Sequence, residues 1–329
     1  MQIYLLLTEK CNLSCKMCIR GKQVGNDLSF DTLKMLLSRD QALMYNDIVI
    51  TGGEPTLHPY FIDITKYMCR YSKTVTITTN GILNYYVDHF YHIDNVLFQV
   101  SVDGDEMAHD EIRGRGSYYK TMETINLFSN KKIPFAIASV VNQSNQNAMF
   151  HLGRIIEKFD NLLHWKLSYE MPFGDANWNE SLGVEEWNNF VDTIISKTHC
   201  KILIKKMFAF SLYDRYWNQL NAMKTSKRLL CNNCGSVKNK IYIYPNFNVY
   251  PCTCLQDFCI GNLESSDLNE ILNSNIAKCF SNYEIRKDSL CYSCKYKLFC
   301  NGGCIGMSYH YFGKLGVGDI RCPRIKKEI

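Results

Sequence analysis

Apolar residues in the first half of the chain gather into six short runs: Ile3 to Leu7, Asp47 to Thr51, Thr74 to Thr79, Val96 to Ser101, Phe135 to Val141 and His164 to Tyr169. Runs of this length, rich in β-branched and aromatic side chains, predict strands. Each is followed by a longer mixed stretch with room for a helix. Six βα units in succession predict a parallel sheet, because parallel neighbours must be joined by a crossover. Ligands of such sheets sit at the C-terminal strand ends, so the residues just after each run are where chemistry is expected.

Those places carry distinctive residues. After the first run comes Cys11-Asn12-Leu13-Ser14-Cys15-Lys16-Met17-Cys18, three cysteines at CxxxCxxC spacing. After the second comes Thr51-Gly52-Gly53-Glu54-Pro55, after the third Thr78-Thr79-Asn80-Gly81, and after the fourth Ser101-Val102-Asp103-Gly104. A four-iron cluster held by three cysteines leaves one iron open to a cofactor or substrate. Structural zinc would need a distant fourth ligand. The glycines allow close backbone approach to a ligand, and a carboxylate can receive an ammonium. Taken alone, GGEP is an ordinary turn after a strand.

In this order, CxxxCxxC followed by GGEP resembles the radical S-adenosylmethionine (SAM) enzymes. The resemblance implies an α/β fold, a partial (β/α)6 TIM-like barrel. In that family the amino and carboxylate groups of SAM chelate the open iron, and the GGE segment meets the amino group. Reductive cleavage then yields a 5′-deoxyadenosyl radical that abstracts hydrogen. Carried over by position, Cys11, Cys15 and Cys18 would hold a [4Fe-4S] cluster. The cofactor contacts would be Met17, Gly52, Gly53, Glu54, Pro55, Asn80, Ser101, Asp103, Arg113, Asn142 and Leu167. Ser101 to Tyr118 is similar to the segment that meets the SAM carboxylate and ribose, and the planar fork of Arg113 suits a carboxylate. Met17 stands where many members carry an aromatic stacked on adenine, and its thioether can pack on such a face. Leu167 reads equally well as a core residue.

Beyond Lys227 the composition changes, with 11 of the 16 cysteines in that part of the chain. Cys291, Cys294, Cys300 and Cys304 stand at Cx2Cx5Cx3C, preceded by Cys231, Cys234 and Cys252 and followed by Cys322. Cx2C pairs by themselves favour zinc. Next to the preceding motifs, the set resembles the SPASM extension, which implies two auxiliary [4Fe-4S] clusters. Cys231, Cys234, Cys252 and Cys304 would hold the first, and Cys291, Cys294, Cys300 and Cys322 the second. Cys254 and Cys259 compete with Cys231 for its place. Phe247 occupies the position, five residues before Cys252, where a glycine is usual, and a turn at Pro245-Asn246 offers a substitute. The resulting division is a radical SAM core over residues 1–205 and a bridge and SPASM region over 206–329, with an aromatic helical bridge from Met207 to Lys227. Cys69, Cys200 and Cys279 read as buried or incidental thiols.

Composition narrows the function. The net charge of +5, from 37 basic and 32 acidic residues, has no dense basic run, which argues against nucleic acid. The mild basic bias suits an acidic peptide or anionic metabolite. No run crosses a bilayer, and cysteines without a signal segment point to a reducing cytoplasm. SPASM enzymes mostly modify ribosomally made peptides by crosslinking, epimerisation or oxidation, so the resemblance implies a peptide substrate and an electron donor such as flavodoxin or ferredoxin. The cysteine motif starts at residue 11, so a leader-binding function is expected on a separate protein or another surface. Sulfatase-maturating relatives carry an aspartate base after the cysteine matching Cys252. Here Thr253 stands there, and its hydroxyl is a poor base, which disfavours that activity. The alternatives are a radical SAM dehydrogenase or epimerase of a sugar or amino-acid derivative, and a non-catalytic zinc-rich interaction module. No acid or base is assigned: Tyr169, Glu170 and Asp175, around the sixth strand end, could face the substrate, but Tyr and Glu beyond a strand are more often solvated loop residues.

Overall fold

A computed structural model describes residues 1–20, 25–173, 180–205, 207–223 and 235–326. The six expected strands are present as β1 (Gln2–Leu6), β2 (Asp47–Thr51), β3 (Thr74–Thr79), β4 (Val96–Ser101), β5 (Phe135–Val141) and β6 (Leu162–Tyr169). Four further strands join them: β7 (Ile202–Ile204), β8 (Lys240–Ile243), β9 (Asn248–Tyr250) and β10 (Gly261–Asn262). One sheet runs in the order β10-β9-β8-β1-β2-β3-β4-β5-β6-β7, and every pairing from β8 to β7 is parallel. Because β1 to β7 lie in chain order, successive crossovers step the same way, as in a barrel and unlike a doubly wound sheet.

The two faces of the sheet differ. Along β6, Trp165, Leu167 and Tyr169 are buried while His164, Lys166 and Ser168 are half-buried, the period of two expected of a strand. β4 repeats this, with Val96, Phe98 and Val100 on the buried side. That side packs under the crossover helices, where Phe98 stacks on Phe128 with centroids 4.7 Å apart. The opposite, more polar side lines the concave interior.

The third crossover departs from the expected helix. Between β3 and β4 the structure has only a short 3-10 turn, Val87–Phe90. Aromatic packing replaces helical periodicity here: Tyr86 and Phe90 meet Phe61 edge-on at 5.3 and 6.1 Å, and Tyr86 stacks on Phe98 at 5.4 Å.

The bridge consists of two short helices, Phe210–Arg215 and Trp217–Met223, and residues 224–227 lie outside the described residues. Its rings fasten the cysteine-rich region: Phe210 stacks on Tyr296 at 4.4 Å, and Trp217 meets Phe299 edge-on at 5.4 Å. Asp214 accepts from the Tyr296 hydroxyl at 2.6 Å and from Lys295 at 2.9 Å. Phe247, at the position where glycine is usual, takes φ of 60° in the turn that closes on Tyr244. The chain keeps the left-handed turn at a strain of about 1–3 kcal/mol, offset by burying the ring.

Candidate active site

Cys11, Cys15 and Cys18 lie on the loop after β1, at the C-terminal end of the sheet, and each is half-buried. The loop is short of regular structure and is held by its neighbours. The Gly53 and Glu54 amides donate to the carbonyls of Thr8 and Lys10, each at 2.8 Å. A Cβ on Gly52 would lie 2.5 Å from the Thr8 oxygen, and one on Gly53 would lie 2.2 Å from the Lys10 oxygen. The glycines therefore admit the chain's own backbone at the base of the cysteine loop, where the sequence suggested close approach to a ligand.

Glu54 also differs from its expected use. Its carboxylate is buried and already accepts from the Thr56 amide (3.3 Å), the Thr56 hydroxyl (2.7 Å), the Thr79 hydroxyl (2.7 Å) and the Asn80 amide (2.8 Å). Burial raises its pKa and these donors oppose the rise. The side chain ties the ends of β2 and β3 together. Pro55 opens the 3-10 turn that follows. Asn80 continues the chain of contacts by donating to Asn12 of the cysteine loop at 2.8 Å.

From the end of β4, Asp103 and Arg113 form a buried ion pair, with Nε 2.5 Å from Oδ2. The second Asp103 oxygen takes the Val140 amide at 2.8 Å. So oriented, Arg113 places Nη1 4.0 Å from the Cys15 sulfur. Burial works against its charge, but Asp103 and Cys15 more than compensate and raise its pKa. Below the pair, His109 accepts from the Asp103 amide at 3.2 Å, and its buried Nε2 has no hydrogen-bond partner. Its place next to the aspartate arises only from the turn into helix Glu106–Arg113, so sequence reading passed it over.

Other expected contacts are distributed unevenly. Met17 and Ser101 are half-buried. Asn142 is buried and committed to its own turn and to Glu170, at 3.1 Å. Leu167 is fully buried in the apolar core, which corrects its reading as a cofactor contact: the strand period puts it with Trp165 and Tyr169. Tyr169 and Glu170 are buried too, contrary to the solvated-loop expectation. Tyr169 donates to the Leu182 carbonyl, and Glu170 interacts with Asn142 and Ser181. Asp175 lies outside the described residues.

The cysteine-rich region forms two thiol groups. Burial pushes the Cys291 thiol up to about 11, with charge on nearby Cys322 and Cys294 adding to the rise, and burial pushes Cys300 up to about 12, with Cys291 and Cys322 acting in the same way. Separately, Cys304 meets Cys252 and Cys254. Cys231 and Cys234 lie outside the described residues. Sulfur-only donor sets of this kind fit iron–sulfur clusters, which are held by cysteine thiolates. Burial pushes the Cys11 thiol up to about 11, so its sulfur gives up a proton when metal binds. Among the described residues, no three His, Cys, Asp or Glu side chains are placed to hold a single metal ion.

A cavity of about 500 Å³ runs between the concave strands and this region. Lys166, Lys205 and Lys240 line it along with Tyr4 and Tyr242, and no carboxylate is among the described lining residues. No helix among the described residues is long and apolar enough to cross a membrane.

Comparison with known proteins agrees with this arrangement. The radical SAM superfamily matches residues 5–163, and SPASM, an iron–sulfur cluster-binding domain, matches residues 219–295. The cysteine-type anaerobic sulfatase-maturating enzyme of Clostridium novyi is 25% identical over 90% of this chain and 85% of its own length. The sporulation killing factor maturation protein of Bacillus subtilis is 35% identical over 43% of this chain and 36% of its own length. Streptococcus suis SuiB bound to S-adenosylmethionine superposes with a TM-score of 0.78 over 98% of this chain and 77% of its own, at 16% identity, which shows a shared fold. The chain belongs to the radical SAM superfamily and carries a SPASM iron–sulfur cluster-binding domain.

Proposed function

We propose that this enzyme matures a ribosomally synthesised peptide by abstracting a hydrogen atom, initiating a crosslink, an epimerisation or an oxidation. Cys11, Cys15 and Cys18 hold the SAM-binding cluster, and the C-terminal thiols hold two auxiliary clusters. When bound, the cluster and SAM supply a 5′-deoxyadenosyl radical as the hydrogen abstractor, with electrons from a flavodoxin- or ferredoxin-like donor.

The protein's own groups account for the rest. The Gly52 to Glu54 segment fixes the base of the cysteine loop. Asp103 aims Arg113 over Cys15, where its guanidinium receives a carboxylate. A cavity between the concave strands and the C-terminal thiols, lined by Lys166, Lys205 and Lys240 and by none of the described residues around the cysteine loop, suits a peptide with acidic residues. The observation that carries the reading is the Asp103-oriented Arg113 above the cysteine loop. The peptide assignment draws on the maturation proteins among the relatives.

The test is formation of 5′-deoxyadenosine by anaerobically reconstituted protein, with short acidic peptides and with sugar or amino-acid derivatives. Stimulation by peptides is expected; stimulation by the metabolites alone would reject the peptide reading. Cys15→Ala abolishes SAM cleavage and lowers iron from about 12 to about 8 per chain.

A further inference from the structure

We propose that Cys254 is a ligand of the first auxiliary cluster, beside Cys252 and Cys304, so that only one of Cys231 and Cys234 is needed to complete it. The inference rests on the reading that the C-terminal region holds two such clusters.

Three observations carry it. First, the buried Cys254 lines the same cavity as Cys252 and Cys304, which come from segments about 50 residues apart. A thiol that merely fills a core packs among apolar side chains. Second, the backbone dictates the convergence. A tight turn, with the Leu255 amide donating to the Cys252 carbonyl at 3.1 Å, brings residue 254 round beside Cys252. The helix Ile305–Phe312, which starts directly after Cys304, presses on the same spot: a Cβ on Gly306 would fall 2.5 Å from the Cys254 Cβ. Third, the other competitor is turned elsewhere. Cys259 donates to the Gly261 carbonyl at 3.3 Å and does not line the cavity that Cys252, Cys254 and Cys304 share.

Four thiolates suffice for one cluster, so three from the described residues leave the Cys231–Cys234 pair with one cysteine to spare. The experiment measures iron and sulfide content, with the electron paramagnetic resonance spectrum of the reduced protein, for the reconstituted wild type and for Cys254→Ser, Cys231→Ser and Cys234→Ser. Wild type is expected to hold about 12 irons; about four irons plus zinc would instead overturn the underlying two-cluster reading. Cys254→Ser is expected to lose about four irons or to alter one of the three cluster signals, while at least one of Cys231→Ser and Cys234→Ser keeps about 12. An unchanged iron content and spectrum in Cys254→Ser overturns the proposal. Loss of a cluster from both Cys231→Ser and Cys234→Ser overturns it too, and this pair decides the matter if Cys254→Ser fails to fold.

Discussion

The guanidinium of Arg321 donates to the backbone carbonyl of Glu170 at 2.6 Å, joining the end of β6 to a residue 151 positions later. Its counter-charge is Asp319, fully buried, which takes Arg321 Nη2 at 2.6 Å and Nε at 3.0 Å and also accepts from the Cys304 amide at 3.0 Å. One buried pair thus links the core sheet to a cysteine of the C-terminal region. Arg321→Ala leaves the buried Asp319 charge without its counter-charge, with only the backbone amides of Cys304 and residue 321 to hold it, and about 3–5 kcal/mol of stability should be lost. Denaturant unfolding of the reconstituted protein measures this, and a loss under 1 kcal/mol would show the pair to be dispensable.

Gly53→Ala should disrupt the SAM-binding cluster and spare the two auxiliary ones. The added Cβ meets backbone atoms of Lys10, at 2.2 and 2.6 Å, which cannot rotate away as a side chain would. The cysteine loop must shift, and iron is expected to drop by about four per chain. Full iron content with normal SAM cleavage would mean the loop tolerates the displacement.

Arg113→Lys keeps the charge and removes the planar fork. SAM binding should weaken about 10- to 100-fold, the scale of a lost hydrogen bond to a charged group, with iron unchanged. Equilibrium binding of SAM to the reconstituted variant reads this directly. Unaltered affinity would assign Arg113 to the Asp103 pair alone.

His109 makes stability depend on pH. Burial, assisted by Arg113, pushes its pKa down to about 4 from an ordinary value of 6.5. Between those values the unfolded chain binds more protons than the folded one. Stability is therefore full above pH 6.5 and declines as pH falls towards 4, by about 3 kcal/mol in all. Carboxylates titrate in the same window, so the informative quantity is the difference between wild type and His109→Gln. The wild type should lose more stability than the variant between pH 7 and pH 4.5; parallel curves would contradict the assignment.

Much of the site was legible because its signals are local. Short runs rich in apolar, β-branched and aromatic side chains marked β2 to β5 at their observed limits, and cysteine spacing announced thiol chemistry within an eight-residue run. That Gly53 also accommodates the Lys10 oxygen was not legible, because that atom lies on another segment. The donors to Glu54 were hidden for the same reason, since Thr79 and Asn80 reach it only once β2 and β3 are side by side.

The apolar strand runs and the cysteine motifs were therefore determined by the chain alone, since each depends on neighbours within a few residues. Tertiary structure decided that β8 pairs beside β1, that Arg321 reaches Glu170 and that Cys254 turns towards Cys304. Those outcomes depend on which distant surfaces bury one another at least cost, a balance summed over the whole fold that no local pattern encodes.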